Sequence, residues 1–220
     1  MAHNPTDPVP APADLYYQLD RGDVAALVPW ECRTILEVGS GFGLLGRTLI
    51  ARQSCTVDGI EINPQAMAHL AGVYRKFWIG DVARVAMDGA MPDYDCLLFP
   101  DVLEHLVDPW ATLERFCSVL RPGGVVVASI PNVRNLALLY RLIVQGTWEY
   151  EASGLLDRGH LRFFTKKSIV EMFARSGLKI EVWHCNRDRY AGIRRAVAWP
   201  AKLLVPDIDV CQYLVRARKS

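Results

Sequence analysis

The sequence predicts an α/β fold with a doubly wound, mostly parallel β-sheet. Short apolar segments rich in β-branched residues alternate with amphipathic segments, which is the order of strands and helices in a parallel sheet. The first apolar segment, Thr34–Val38, runs directly into a turn that has glycine at positions 39, 41 and 43. Several later strands end in an acidic residue, at the edge where sheets of this kind bind ligands.

The individual elements follow from periodicity and from helix and turn signals. Asn63-Pro64 is a helix-start signal after the second strand, and Leu-Arg-Pro-Gly-Gly at 120–124 is a strong turn before the fifth. Apolar spacing over 14–29 predicts one or two short helices against the sheet edge. We predict strands at 34–38, 56–62, 77–82, 94–99, 125–130, 178–184 and 210–216, and helices at 44–50, 109–120 and 166–176.

The chain is long enough for one domain with a sizeable core. It has 220 residues, of which 51% are hydrophobic. Residues 1–13 contain several prolines and little to bury, so we predict a disordered tail followed by one domain over 14–220. Two insertions, about 132–164 and 187–208, interrupt the alternation of strands and helices, and loops of this length are typically lids or binding segments.

Composition and charge argue against several classes of protein. The formal net charge of +1 gives no overall attraction to nucleic acid, so no nucleic-acid partner is expected. The six cysteines form no C-x-x-C pair, which argues against a disulfide scaffold and against a zinc site. We find no signal pattern and no apolar run long enough to span a bilayer, and we therefore expect a soluble, cytoplasmic protein. These features leave the oligomeric state open.

The glycine turn favours one kind of ligand over another. A literal G-x-G-x-x-G begins at Gly41, but a dinucleotide motif should begin where the strand ends, at Gly39. In that register its third glycine falls on Leu44, so an NAD-dependent reductase is the less favoured alternative. Glu37 lies two residues before the first glycine, where a carboxylate suits a ligand with a cationic amino group and repels a pyrophosphate.

These residues resemble a known family. The stretch from Glu37 to Gly43 is similar to the cofactor motif of class I S-adenosylmethionine-dependent methyltransferases, and Asp-Val-Leu-Glu-His-Leu-x-Asp-Pro at 101–109 resembles a later motif. Ile-Pro-Asn at 130–132 and the sequence over 159–165 are similar to a branch of bacterial small-molecule methyltransferases. The resemblance implies a Rossmann-like, seven-stranded sheet whose last strand is antiparallel, with S-adenosylmethionine as cofactor. It also implies methyl transfer to a hydroxyl or amine of a sugar, polysaccharide precursor or secondary metabolite.

The strand ends supply candidate cofactor contacts. Glu61 lies 22 residues after Gly39 (61 − 39), close to the spacing at which an acid binds a ribose diol, although it could also be a solvated carboxylate. Asp81 could accept a hydrogen bond from an exocyclic amine or cap the following turn. The predicted cofactor residues are Glu37, Gly39, Ser40, Gly41, Gly43, Glu61, Ile62, Asp81, Val82 and Asp101.

Two histidines are candidates for the catalytic base. His160 is the best single candidate, because a turn over 157–159 and two phenylalanines after it would fix its ring over the pocket, where Asp157 or Glu104 could set its tautomer. His105 follows the fourth strand, next to the expected position of the transferred methyl group. Their structural alternatives are helix-start packing for His105 and a buried, hydrogen-bonded loop position for His160.

Two further interpretations concern metals and surfaces. Asp101, Glu104, His105 and His160 resemble the set with which some RNA-end methyltransferases hold a divalent metal, but the neutral charge argues against an RNA substrate and we predict no metal. The insertion 187–208 carries five cations that could steer an anionic acceptor or make weak contact with an anionic membrane. A solvated surface helix is the alternative for this insertion.

Overall fold

The computed structural model of the chain describes residues 21–86, 93–188 and 201–220. The predicted tail over 1–13 and most of the insertion 187–208 lie outside these residues, as does the first part of the segment 14–29. In the described ranges, no helix is long and apolar enough to cross a membrane.

Seven strands form one sheet, as predicted. They are β1 (Thr34–Val38), β2 (Thr56–Glu61), β3 (Lys76–Ile79), β4 (Tyr94–Pro100), β5 (Leu120–Pro131), β6 (Leu178–Arg187) and β7 (Val210–Lys219). Their order in the sheet is β3-β2-β1-β4-β5-β7-β6, and the first five are parallel. β7 runs antiparallel to both of its neighbours, β5 and β6. The chain therefore has the predicted doubly wound, Rossmann-like sheet with an antiparallel last strand.

The helices are short. The α-helices are α1 (Gly22–Ala25), α2 (Leu44–Gln53), α3 (Met67–Leu70), α4 (Pro109–Phe116), α5 (Leu136–Tyr140) and α6 (Lys166–Arg175). In the part of the chain that the structure describes, three 3₁₀ turns cover Pro64–Ala66, Leu103–His105 and Cys117–Val119, and a π-helix over Arg141–Gln145 continues α5. The predicted helix over 109–120 is thus an α-helix followed by a 3₁₀ turn, capped at its start by the Asp108 side chain.

Two strands differ from their predicted bounds. β5 begins at Leu120, opposite Tyr94, and the register shifts before Cys96, so the sequence predicted as a turn lies in the irregular start of the strand. Gly123 permits this because its φ is +74°. β3 ends at Ile79, so the predicted strand-end acid Asp81 lies in the loop that follows.

The core occupies both faces of the sheet. Successive buried residues of β4, from Cys96 to Phe99, alternate between two hydrophobic clusters, because neighbouring side chains in a strand point to opposite faces. One cluster includes Phe116 and Phe173 of α4 and α6, and the other includes Leu49 of α2. The strand order reverses between β1 and β4, and the carboxyl ends of these strands flank the crevice where such sheets bind ligands.

Candidate active site

A cleft of about 1100 Å³ lies beyond the carboxyl ends of β1, β2 and β4. Every predicted cofactor residue except Gly43 lines it, and so does the predicted catalytic residue His105. Its volume slightly exceeds the usual range for a single small-molecule site, about 300–1,000 Å³, so it has room for a cofactor and for part of an acceptor.

The glycine turn has the backbone conformation that requires glycine. Gly39, Gly41 and Gly43 have φ values of +73°, +51° and +80°. A Cβ on Gly39 would lie 2.6 Å from Cγ2 of Val102, so β1 and the loop after β4 approach closely at the floor of the cleft. Gly43 is the N-cap of α2 rather than a lining residue, and a Cβ there would lie 3.0 Å from Leu70.

Glu61 holds the turn from the end of β2. Its Oε2 accepts a 2.7 Å hydrogen bond from the backbone N–H of Gly41, and its Oε1 accepts a 2.9 Å bond from the N–H of Asn63. Each oxygen has further lone pairs, so the buried carboxylate can also accept bonds from a diol in the cleft. The two backbone bonds could not be read from the sequence.

Glu37 is buried at the end of β1, and its environment keeps it protonated. Burial raises the pKa of Glu37 to about 8, and the nearby Glu61 carboxylate adds to the rise. The hydroxyl of Tyr74 donates a hydrogen bond to Glu37 Oε2 and opposes this rise, as does the backbone N–H of Gly46. Tyr74 was not identified from the sequence, although it contacts a predicted cofactor residue.

The cleft residues fit a cofactor of the predicted kind. The hydroxyl of Ser40 is buried beside the cleft, and no described residue forms a hydrogen bond with it. Such an unpaired buried group is costly unless a ligand or water satisfies it. With the positive-φ glycines and the two buried acids, Glu37 and Glu61, it forms a cradle for a polar ligand that carries a cation and a diol.

The other two predicted acids have protein partners. Asp81 accepts a 2.9 Å hydrogen bond from the N–H of Ala83 and so caps the turn, as its alternative interpretation expected, while still lining the cleft. Asp101 has a φ of +54° and forms an ion pair with Arg21, and the hydroxyl of Ser129 donates to it at 2.8 Å. Arg21 was not identified from the sequence because it lies 80 residues from Asp101.

The two predicted catalytic histidines meet at the other end of the cleft. Their ring centroids are 4.7 Å apart in an edge-to-face arrangement. His105 ends the 3₁₀ turn after β4 and lines the cleft, whereas His160 is 7% exposed and does not line it. His160 was predicted as the leading catalytic base, but its ring is the more deeply buried of the two. Of the two histidines, only His105 lines the cleft.

The tautomer of His160 is set by the backbone. Its Nδ1 lies 3.2 Å from the carbonyl oxygen of Leu155, and because a carbonyl only accepts, Nδ1 carries the proton in the neutral ring. Nε2 is then the acceptor. Neither Asp157 nor Glu104, the residues expected to fix this tautomer, makes that bond. Burial lowers the pKa of His160, and the neighbouring His105 lowers it further, so the ring is neutral at pH 7.

Glu104 completes a cluster with the two histidines. Both of its carboxylate oxygens are buried, and no described residue forms a hydrogen bond with them. Burial raises the pKa of Glu104 to about 8. Glu104, His105 and His160 each offer one donor atom, and these atoms lie within 4.8 Å of one another, a spacing that one divalent cation can bridge. Asp101, the fourth residue of the metal set considered from the sequence, is not part of this cluster.

The insertion over 132–164 covers the histidine end of the cleft. Phe164 is buried against Trp110, but Phe163, the other phenylalanine predicted to fix the segment, is 36% exposed and packs against Trp148. Arg162 donates a 3.0 Å hydrogen bond to the carbonyl oxygen of Val107. α5 and the π-helix that continues it are largely apolar, but much of their surface faces outward, and Ile143 is 74% exposed.

The two described cations of the insertion 187–208 form ion pairs within the protein. Arg187 and Lys202 both pair with Asp209. The other three cations, at 189, 194 and 195, lie outside the described residues. Weak membrane contact by this segment stays a prediction.

Known proteins resemble this chain along most of its length. A family model described as a methyltransferase domain matches residues 16–182. A ubiquinone biosynthesis O-methyltransferase of Cereibacter sphaeroides is 26% identical over 207 residues, which cover 92% of this chain and 80% of the relative. The protein of the same name from Xylella fastidiosa is 28% identical over 205 residues, which cover 85% and 78%.

Solved structures show the same fold. The S-adenosylmethionine-dependent methyltransferase from Mesorhizobium loti matches with a TM-score of 0.61 at 18% identity, and the match covers 90% of this chain and 96% of that one.

Proposed function

This chain belongs to the methyltransferase domain family and is an S-adenosylmethionine-dependent methyltransferase, and on that premise we propose that it methylates a hydroxyl oxygen of a small organic acceptor. The acceptor class is a sugar, a polysaccharide precursor or a secondary metabolite with a hydroxyl group. The relatives named as O-methyltransferases support an oxygen acceptor. Because the chain belongs to this family, the alternative interpretation as an NAD-dependent reductase on the same fold is dropped.

One observation carries the proposal: a single cleft joins the acid-lined glycine turn to the histidine cluster. When bound, S-adenosylmethionine supplies a methyl group that is already activated on a sulfonium. Glu61 would hold the ribose diol, Glu37 the amino group, and Asp81 the adenine amine. The remaining work of the protein is to align the acceptor hydroxyl and to remove its proton, and general bases typically contribute about 10²–10⁴-fold to such a step.

His105 is positioned to take that proton. His105 lines the cleft, whereas His160 does not. His160 Nδ1 is hydrogen-bonded to the carbonyl oxygen of Leu155, so the acceptor nitrogen of the His160 ring is Nε2. We assign contact with the acceptor to His105 and support of the His105 ring to His160. Because a base must be neutral to act, turnover should fall as the pH drops below the base's pKa.

The test measures S-adenosylhomocysteine release with a panel of phenolic and sugar hydroxyls, amines and a short RNA. His105→Ala and His160→Ala should each lower kcat by roughly 10²-fold and keep product affinity within about twofold. His184→Ala, at an exposed position of β6, is the matched control and should match the wild type. Activity on amines alone would contradict the proposal, and so would full activity of both His105→Ala and His160→Ala on the best hydroxyl acceptor.

A metal-assisted form of the same transfer is the second candidate. The Glu104, His105 and His160 cluster is the observation that favours it, since its donors suit one divalent cation that would polarise the acceptor oxygen. Dialysis against a chelator followed by Mg²⁺ or Mn²⁺ addition distinguishes the two. Activity that survives chelation supports the histidine base, and activity restored only by metal supports the second candidate.

A further inference from the structure

We propose that Tyr74 is a positioning residue for the cofactor, which acts by holding the Glu37 carboxyl at the wall of the cleft. Tyr74 itself does not line the cleft. It is buried between α3 and β3, and its hydroxyl donates a hydrogen bond to Glu37 Oε2. This inference rests on the proposed function, because it assigns the acid Glu37 to the cofactor.

A slot in the fold is built around the Tyr74 ring. Three glycines from the N-cap of α2, from α2 itself and from β2 surround it, namely Gly43, Gly46 and Gly59. A Cβ on Gly46 would lie 2.2 Å from the Tyr74 hydroxyl, and a Cβ on Gly59 would lie 2.7 Å from the ring. Glycine is unfavourable in helix and strand interiors, so Gly46 and Gly59 are explained by the ring that they admit, whereas Gly43 is also required by its positive φ.

The slot also fixes the direction of the hydroxyl. The backbone N–H of Gly46, in the first turn of α2, lies against both the tyrosine oxygen and Glu37. An N–H in the first turn has no partner within its own helix. With that donor occupying one side of the phenol oxygen, its proton is left for Glu37 Oε2. The Glu37 carboxyl that is held in this way lines the cleft.

The charge state of Glu37 depends on few groups. Glu61 faces it across the turn and disfavours its ionisation, and Tyr74 and the Gly46 N–H favour ionisation. Arg47 is a cation that faces Tyr74 from α2. Removing the hydroxyl while keeping the ring should therefore make Glu37 harder to ionise, and a cationic ligand should bind more weakly wherever Glu37 must ionise to receive it.

The variant Tyr74→Phe tests this by calorimetric titration with S-adenosylhomocysteine between pH 6 and pH 9.5. We expect affinity about tenfold weaker at pH 7, with the gap narrowing towards pH 9.5 as Glu37 ionises in both proteins. A merely structural role would weaken binding by the same factor at every pH, and that result would overturn the proposal. So would an affinity within twofold of the wild type.

Tyr94→Phe is the matched control. Tyr94 is also buried and donates a 2.8 Å bond to a buried acid, Asp58, but neither residue lines the cleft. Both variants should lower the melting temperature of the ligand-free protein, and Tyr74→Phe alone should weaken binding. Equal weakening in both variants would overturn the assignment.

Two further comparisons separate this inference from its premise. In a Glu37→Gln background, adding Tyr74→Phe should leave affinity unchanged at every pH, and an added loss would refute the coupling. If the wild type binds no S-adenosylhomocysteine at any pH, the proposed cofactor site has failed. Normal wild-type binding with a silent Tyr74→Phe refutes only the role of Tyr74.

Discussion

Cofactor binding should expel a proton from Glu37. In the ligand-free protein the pKa of Glu37 is raised to about 8 by burial, so at pH 7 roughly nine-tenths of the molecules carry it neutral. A cation placed within about 4–6 Å lowers a carboxyl pKa by about 1–3 units, and a two-unit drop would put the bound value near 6. Binding at pH 7 should then release about 0.8 proton per site.

The sign of the pH dependence follows from these two pKa values. Because the bound state holds fewer protons, affinity should rise with pH between about 6 and 8, by about 25-fold over that window, and level off outside it. Folding responds in the opposite direction. The folded pKa of Glu37 exceeds its ordinary value of 4.5, so the stability it contributes is complete below that value and is lost as pH rises through 8. Between pH 7 and pH 9 this loss is about 1.4 kcal/mol.

The comparison that isolates Glu37 is wild type against Glu37→Gln, a neutral side chain of the same shape. The amino group of the ligand titrates in the same range, but it does so equally with both proteins and cancels in the ratio of their affinities. Titration of S-adenosylhomocysteine in buffers of different ionisation enthalpy counts the released protons, and thermal unfolding gives the stability difference. If the ratio of affinities stays constant from pH 6 to pH 9, and proton release is the same in both proteins, binding does not ionise Glu37.

Four other substitutions test the cleft and the slot around the Tyr74 ring. Gly39→Ala should weaken product binding by more than about tenfold, and Val102→Ala should restore only part of it, because the strain of the positive φ, about 1–2 kcal/mol, remains after the contact is relieved. Glu61→Ala should weaken S-adenosylhomocysteine binding by about 1.5–3 kcal/mol in calorimetry, and unchanged affinity would remove Glu61 from the site. Gly46→Ala should lower stability in chemical denaturation by about 1–3 kcal/mol through its contact with Tyr74. Helix propensity alone predicts a gain of about 1 kcal/mol, so a more stable variant would contradict the ring slot.

The sheet and the cofactor end of the cleft could be predicted because their determinants are local in the chain. A strand, a glycine turn and a helix follow one another within 34–53, and Glu61 ends the next strand. Parallel pairing then brings these carboxyl ends together without further information. β5 was misjudged at its start because Pro-Gly-Gly reads as a turn wherever it occurs, whereas pairing of Leu120 with Tyr94 extends the strand past it.

At the histidine end of the cleft, the sequence predicted which residues come together but not how they are arranged. Local pattern identified His105 and His160, but the order in which they meet the cleft depends on how the insertion packs over the 3₁₀ turn after β4. Two backbone bonds fix that packing, since the N–H groups of Leu161 and Arg162 both donate to the carbonyl of Glu104. Backbone carbonyls carry no signature in a sequence, and the Leu155 carbonyl that sets the His160 tautomer is invisible there for the same reason.

The literal G-x-G-x-x-G that begins at Gly41 shows why a pattern needs its physical cause. Its last glycine, Gly46, occupies the position that a dinucleotide motif would use for close packing of helix on strand, and it does serve packing. What approaches it, however, is the ring of Tyr74, whose hydroxyl ends on Glu37, the acid that disfavours a pyrophosphate at this turn. The glycines alone therefore do not set the charge of the ligand. Glu37, which we expect to favour a cation, lies four positions before the pattern (41 − 37), and Tyr74, which donates a hydrogen bond to it, lies 28 positions beyond the pattern (74 − 46).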